Sequence, residues 1–265
     1  MFLRDPFNAL SLTAVCAASI LLVLIALAVG NLFGRRTARR GKSGDASLGS
    51  AVAATLALLA FMLAFTFNMA ANRFIQRKAL LLDEVNIIST TYLRADLLPA
   101  PERKRARALL AEYVNLRDFH PSKVVDFEER LVRSEAIQRE LWQIVGQLST
   151  SGYDGLRLRG FYEVLNELID SNTSRLYVGI NYHIMPPIWA ALYVITALAM
   201  FGIGFQQGVG RRGSLQVELS LALAFSVVIV MIADLDRSYQ GLLIVEQTPM
   251  SELNERLQAS QRAAH

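Results

Sequence analysis

Cysteine, histidine and charge are scarce in this sequence, and each scarcity removes a class of function. Cys16 is the single cysteine in 265 residues, which excludes a disulfide within the chain and a cysteine metal site. It sits in an apolar stretch after Val15, where a lipid-acylation site would have a small residue. The histidines, His120, His183 and His265, lie too far apart to form a ligand spacing. No Ser-His-Asp set, paired carboxylates or metal-hydrolase pattern is found. The glycines of "QQGVGRRG" lack phosphate-loop spacing. No catalytic residue, cofactor or metal is therefore expected, and the chain does not read as an enzyme. Only 19% of residues are charged, against about a quarter in soluble domains. The net charge is +4, with the basic residues beside apolar blocks. That distribution marks topology and lipid headgroups, and it lacks the basic, aromatic-studded stripe of a nucleic-acid binder.

What is abundant is apolar, at 53% of the chain, gathered in blocks near both ends. Four blocks read as membrane crossings, at residues 9–33, 48–71, 187–205 and 215–233. The first is too long for a signal-peptide core and lacks a cleavage site. The third opens on Pro186-Pro187, a tolerated helix start. Tyr182, Trp189 and Tyr193 gather there as an interfacial belt would. The fourth begins near Glu218, expected at headgroup level. Short loops carry Arg35, Arg36, Arg39, Arg40 and Lys42 on one side and Arg211 and Arg212 on the other. By the positive-inside rule both loops are cytoplasmic. The middle domain and both termini are then expected outside the inner (plasma) membrane, with Arg73, Arg77 and Lys78 as the opposing signal.

Residues 51–98 contain neither glycine nor proline, so the second crossing is expected to continue as one helix roughly 70 Å long. Pro99 and Pro101 stop it. Further helices read from 101 to 119, 122 to 148 and 156 to 183, with a loop at 149–155 and a short polar helix from 249. The "LLIV" run at 242–245 reads as a segment packed on the bundle. The expected fold class is all-α, a membrane protein with four transmembrane helices and a helical bundle inserted between the second and third. Its parts are a first helix pair (1–71), a polar bundle (72–186), a second pair (187–233) and a polar tail (234–265).

Phe61, Phe65, Asn68 and Asn72 recur at helical spacing on one face of the second crossing. In a pore the phenylalanines would form a hydrophobic constriction and the asparagines its wetter mouth. In an ordinary bundle they are packing residues. Arg73, Arg77 and Lys78 follow, and in a ring of subunits would make an anion-favouring collar. Asp234, Asp236 and Arg237 lie where the fourth crossing ends. They read as an ion entrance or as a salt-bridge anchor pairing with Arg73 or Arg77. Asp83, Glu84 and Asn86 offer oxygen atoms, but neighbours on a helix do not face one point.

Two stretches carry a family resemblance: "RKALLLDEVNIISTTYLRADLLPAPERKRARALLAEYV" (77–114) and "DLDRSYQGLLIVEQTPM" (234–250). With the two-plus-two layout of crossings, they resemble the bestrophin-like integral membrane family. The family's acidic residue falls on Glu84, its "LYR"-type segment on Tyr92-Leu93-Arg94 and its "LP" on Leu98-Pro99. The Asp-Arg-aromatic-x-Gly after the last crossing falls on Asp236, Arg237, Tyr239 and Gly241. The resemblance implies a relation to bestrophin anion channels, which assemble as pentamers. It thus implies a homo-oligomer among membrane lipids, with chloride or another small anion as permeant species. It also implies a cytoplasmic large domain, opposite to the charge reading, and an acidic calcium clasp that has no counterpart here. The expected function is an oligomeric ion (anion) channel. The alternative is a membrane-anchored sensor or scaffold whose helical domain binds a ligand or partner.

Overall fold

The computed structural model describes residues 11–40, 46–119, 127–181, 183–210, 215–237 and 241–263. Every regular element among them is helical. In chain order the helices are α1 (Leu12–Arg39), α2 (Ala46–Arg94), α3 (Ala100–Arg117), α4 (Phe127–Thr150), α5 (Gly155–Asn181), α6 (Pro186–Gly210), α7 (Leu215–Asp236) and α8 (Thr248–Ala263). A 3₁₀ turn, Ala95–Leu97, follows α2. Four helices, α1, α2, α6 and α7, are long and apolar enough to cross a bilayer. Within their most apolar windows only 22 to 39% of residues are buried inside the chain. Most of that apolar surface is therefore left for lipid or other subunits. The chain is an all-α membrane protein.

Helix ends follow local chemistry. Ser11 caps α1, its hydroxyl accepting from the Ala14 amide at 3.1 Å. Arg36 and Arg39 complement the dipole of its last turn. α2 runs unbroken for 49 residues, as the missing breakers require. Pro99 then caps α3, with Pro101 in the first turn. α4 extends through Ser149 and Thr150, beyond the expected end at 148, because the Thr150 hydroxyl bonds back to the Gly146 carbonyl. The chain turns at Gly152, whose φ of +74° suits glycine, and Asp154 caps α5. α5 ends at Asn181, short of the expected 183.

The chain divides into two units. The first comprises α1, residues 46–74 of α2, α6, α7 and Gly241–Leu243. Its core includes Val23, Leu27, Leu59, Leu63, Trp189, Leu192, Met200 and Ile229. α1 lies against α6 and α7. Two pairs of glycines four residues apart make the α1–α6 approach: Gly30 and Gly34 on one helix, Gly204 and Gly208 on the other. A Cβ on Gly30 would run into the Phe201 carbonyl, and one on Gly34 into that of Phe205. In return, Gly204 meets the Leu27 carbonyl and Gly208 that of Asn31. Small residues let helix backbones touch where lipid supplies no hydrophobic drive. The same packing explains why α6 runs past Gly202 to Gly210, beyond the expected 205. Trp189, expected at an interfacial belt, has its side chain buried in this core. Tyr193 stacks on it and bonds to Ser19 at 3.1 Å, while Tyr182 lies outside the described residues.

The second unit holds residues 75–94 of α2, with α3, α4, α5, α8 and Ile244–Gln247. α3 packs on α4 and α8, and α4 on α5. The core gathers Leu81, Ile88, Leu110, Tyr113, Ile137, Leu141, Ile144, Phe161, Leu165 and Leu168. Of the "LLIV" run, Val245 packs against this core, whereas Leu242 is 86% exposed. Asp118 tethers α8 by accepting from Ser251 Oγ (2.6 Å) and Asn254 Nδ2 (2.9 Å).

Candidate functional site

The helical spacing of Phe61, Phe65, Asn68 and Asn72 becomes a continuous exposed stripe on α2. Phe61 and Phe65 are 65% and 52% exposed. Their rings stack, with centroids 6.4 Å apart. Asn72 Nδ2 donates to Asn68 Oδ1 at 2.5 Å, so the amides hold each other one turn apart. The opposite side of the helix, through Leu59, Leu63, Thr66 and Ala70, is buried in the first unit. The stripe is thus two aromatic rings followed by two amides, all four exposed among the described residues.

Arg73 follows Asn72 and is anchored: its Nη1 donates to Asp236 Oδ1 at 3.2 Å. Asp236, 5% exposed, also accepts the Ile184 amide at 2.9 and 3.1 Å. The His183 ring bonds to the Asp236 carbonyl, with Nδ1 at 3.1 Å. Asp234, 3% exposed, accepts the amides of Leu242 (2.8 Å) and Leu243 (2.9 Å). A buried carboxylate is tolerable only when its oxygens are satisfied, and both are satisfied by chain that follows or precedes a crossing. Gly241 makes this geometry accessible. Its φ is +137°, and a Cβ there would strike Asp234 Oδ1. Arg237 is buried beside them, its amide donating to the Asp234 carbonyl. Tyr239 lies outside the described residues. The structure therefore brings Asp234, Asp236, Arg237, Gly241 and Arg73 together and adds His183 and Ile184.

In the second unit the family-type acidic residue is the centre of a network. Glu84 is fully buried. Its Oε1 accepts from Arg117 Nε at 2.9 Å and from the Tyr113 hydroxyl at 3.3 Å. Arg175 Nη1 makes a close ion pair with its Oε2. Arg175 also donates to Gln247 Oε1 (2.8 Å), and Gln138 Nε2 to the Tyr113 hydroxyl (3.4 Å). Burial alone would push the Glu84 carboxyl up, but the charges of Arg117 and Arg175 outweigh it and hold it below its ordinary value. Tyr113 is pushed up, first by burial and then by the Glu84 charge. Nothing in the sequence pattern singled out Arg117 or Arg175. The available signal was an arginine at i+4 from Tyr113, on the face of α3 that buries Leu109, Leu110 and Tyr113.

The other motif residues are structural neighbours of this network's helices. The Tyr92 hydroxyl meets Ser260 at 3.3 Å, and the Arg107 guanidinium stands 4.9 Å over its ring. Arg94 donates to the Gly160 carbonyl at 2.9 Å. Arg77 is buried and Lys78 exposed, so the basic run after the stripe does not share one face. Asp83 and Asn86 are exposed and point away from buried Glu84. Among the described residues no three His, Cys, Asp or Glu side chains gather as metal ligands would. A groove of about 540 Å³ lies beside Gln138, Arg139, Trp142, Asn166 and Ile169.

Comparison with known proteins agrees with the geometry. The family model of the bestrophin-like domain matches residues 14–250. Solved structures of similar fold include a variant of a bacterial bestrophin homologue from Klebsiella pneumoniae. It is 14% identical with a TM-score of 0.68, covering 90% of this chain and 96% of that one. The same homologue in another crystal structure gives 13% identity and a TM-score of 0.65 over 93% and 97%. A variant of a protein described only as a membrane protein gives 12% identity and 0.67, over 93% and 97%. No curated protein matches the sequence.

Proposed function

We infer the function from one premise: this chain belongs to the bestrophin-like family. The reading it supports is an oligomeric ion channel selective for small anions such as chloride, in which α2 of each subunit lines the pore. The observation that carries it is the exposed stripe Phe61–Phe65–Asn68–Asn72. It is apolar and then amidic along one helix face, backed on the other side by buried core. Stacked aromatic rings from several subunits make a constriction that gates by dewetting, and amide N–H groups favour an anion at the mouth. Arg73 adds positive charge beside the asparagines, held in place by Asp236.

In this reading the protein is a multi-pass protein of the inner (plasma) membrane. Its polar helical bundle is inserted in sequence between the second and third crossings, and the short basic loops are cytoplasmic. The assembly is a homo-oligomer, a pentamer by analogy with bestrophins, and the work of the protein is conduction without catalysis. The groove beside Trp142 favours a second reading, a membrane-anchored sensor that binds a ligand there.

Purified protein in planar bilayers tests the two. A channel gives chloride currents whose amplitude or selectivity changes in Phe65→Ala and not in Trp142→Ala. A protein that stays monomeric, or passes no current across varied pH, calcium and voltage, contradicts the channel reading.

A further inference from the structure

A second apolar feature of the first unit lies on α1 and α6. A groove of about 570 Å³ runs along them from Ala18 past Leu22, Ile25 and Val29, with Ala197 and Phe201 on its other wall. Every side chain lining it is hydrocarbon. Eleven residues of α1 separate Ala18 from Val29, about 16 Å of helix. One leaflet of a hydrocarbon core about 30 Å thick is half that thickness, roughly 15 Å. The groove is as long as a single leaflet is deep.

One end of the groove has a definite chemistry. The Phe201 ring lies 6.1 Å from that of Phe33. The guanidinium of Arg36 stands 5.8 Å over the Phe33 ring. Leu22, Ile25, Val29, Phe33, Arg36 and Arg40 succeed one another at steps of three and four, so they share one face of α1. Arg36 and Arg40 are both exposed. The hydrocarbon track therefore runs through an aromatic step into two cations, which is the order of parts in an anionic phospholipid read from chain to phosphate.

We propose that this groove is a binding site for an anionic phospholipid, with one acyl chain between α1 and α6 and the phosphate held by Arg36 and Arg40. The two guanidinium groups at its end call for a phosphate, since neither α1 nor α6 carries an acidic side chain. The site is independent of whether the protein conducts ions. A lipid there braces the glycine-packed α1–α6 pair.

Native mass spectrometry of the intact, full-length assembly tests it. Phosphatidylglycerol and phosphatidylcholine with the same acyl chains are supplied in equal amounts. Phosphatidylglycerol is retained in preference. At about fivefold per arginine near an anionic surface, Arg36→Gln with Arg40→Gln lowers that retention about thirty-fold. Filling the groove with Ala26→Leu and Ala197→Leu lowers it while leaving every arginine in place. Arg35→Gln with Arg39→Gln removes the same charge from another face and has the smaller effect. Four results overturn the proposal. The two lipids are retained alike, groove filling leaves retention unchanged, or the Arg35/Arg39 pair matters as much as Arg36/Arg40. The fourth is a change in subunit number on groove filling, which assigns the groove to a subunit contact.

Discussion

Glu84→Gln is expected to be among the most destabilising conservative changes in the helical unit. The substitution keeps side-chain volume and one carbonyl oxygen, so packing is nearly unchanged. It removes the carboxylate bonded to both Arg117 and Arg175, whose side chains are 3% and 15% exposed. Breaking a buried pair from one side costs about 3–5 kcal/mol, because the remaining charge stays desolvated. Here two buried or nearly buried guanidinium groups lose this carboxylate at once, which argues for the upper part of that range. For a unit of this size the loss corresponds to a fall in Tm of about 10–20 °C. The assay is thermal unfolding in detergent, with hydrogen exchange across α3 and α5 to place the loss. Asp83→Asn is the control, since it removes the same charge one residue away on the exposed face and stays within about 0.5 kcal/mol. A fall of less than about 3 °C for Glu84→Gln, or an equal fall for both variants, would refute the reasoning.

Acid has a related effect. The folded Glu84 pKa lies below its unfolded value, so its contribution is present above the unfolded pKa and fades as pH drops through the folded one. Titration below about pH 4 should melt the wild-type unit, and this step should be missing from the Glu84→Gln profile. Gly204→Leu should separate α1 from α6, costing at least the upper end of about 1–3 kcal/mol for overpacking, because backbone stands where the side chain would go. Gly210→Ala meets nothing within 4 Å and should be neutral in the same detergent melt. Gly146→Ala, in the middle of α4 with open space around it, should stabilise by about 0.5–1 kcal/mol in thermal unfolding.

The helical class and the four apolar spans were legible because each rests on local composition. The missing breakers of residues 51–98 define α2, and Pro99 and Pro101 define where α3 begins. Features made by distant partners were not legible. Trp189 reads as an interfacial aromatic until α6 is seen to turn it into the core. Gly204 reads in the sequence as a site of close helix approach, but its counterparts Gly30 and Gly34 are identified only when α1 and α6 are set side by side. Glu84 could be singled out through its motif, yet its partners lie 33 and 91 residues away, and no periodicity links them. Asp234 and Asp236 read equally well as an entrance or an anchor. The Arg73 pair with Asp236 and the amides of Ile184, Leu242 and Leu243 show what their oxygens hold. Phe61, Phe65, Asn68 and Asn72 were visible as a helical face, but that their face would be the uncovered one required the fold.

Whether water reaches that face tests the channel reading most directly. The chain has one natural cysteine, so Cys16→Ser gives a thiol-free background for Phe65→Cys and, as a lipid-facing reference, Leu198→Cys. A membrane-impermeant, charged methanethiosulfonate is applied to the protein in a bilayer while current is recorded. The account predicts that Phe65→Cys reacts, with a step change in current, and that Leu198→Cys does not. Reaction of Phe65→Cys only with a lipid-soluble maleimide, at the rate seen for Leu198→Cys, would show that the stripe faces lipid and that α2 does not line a pore.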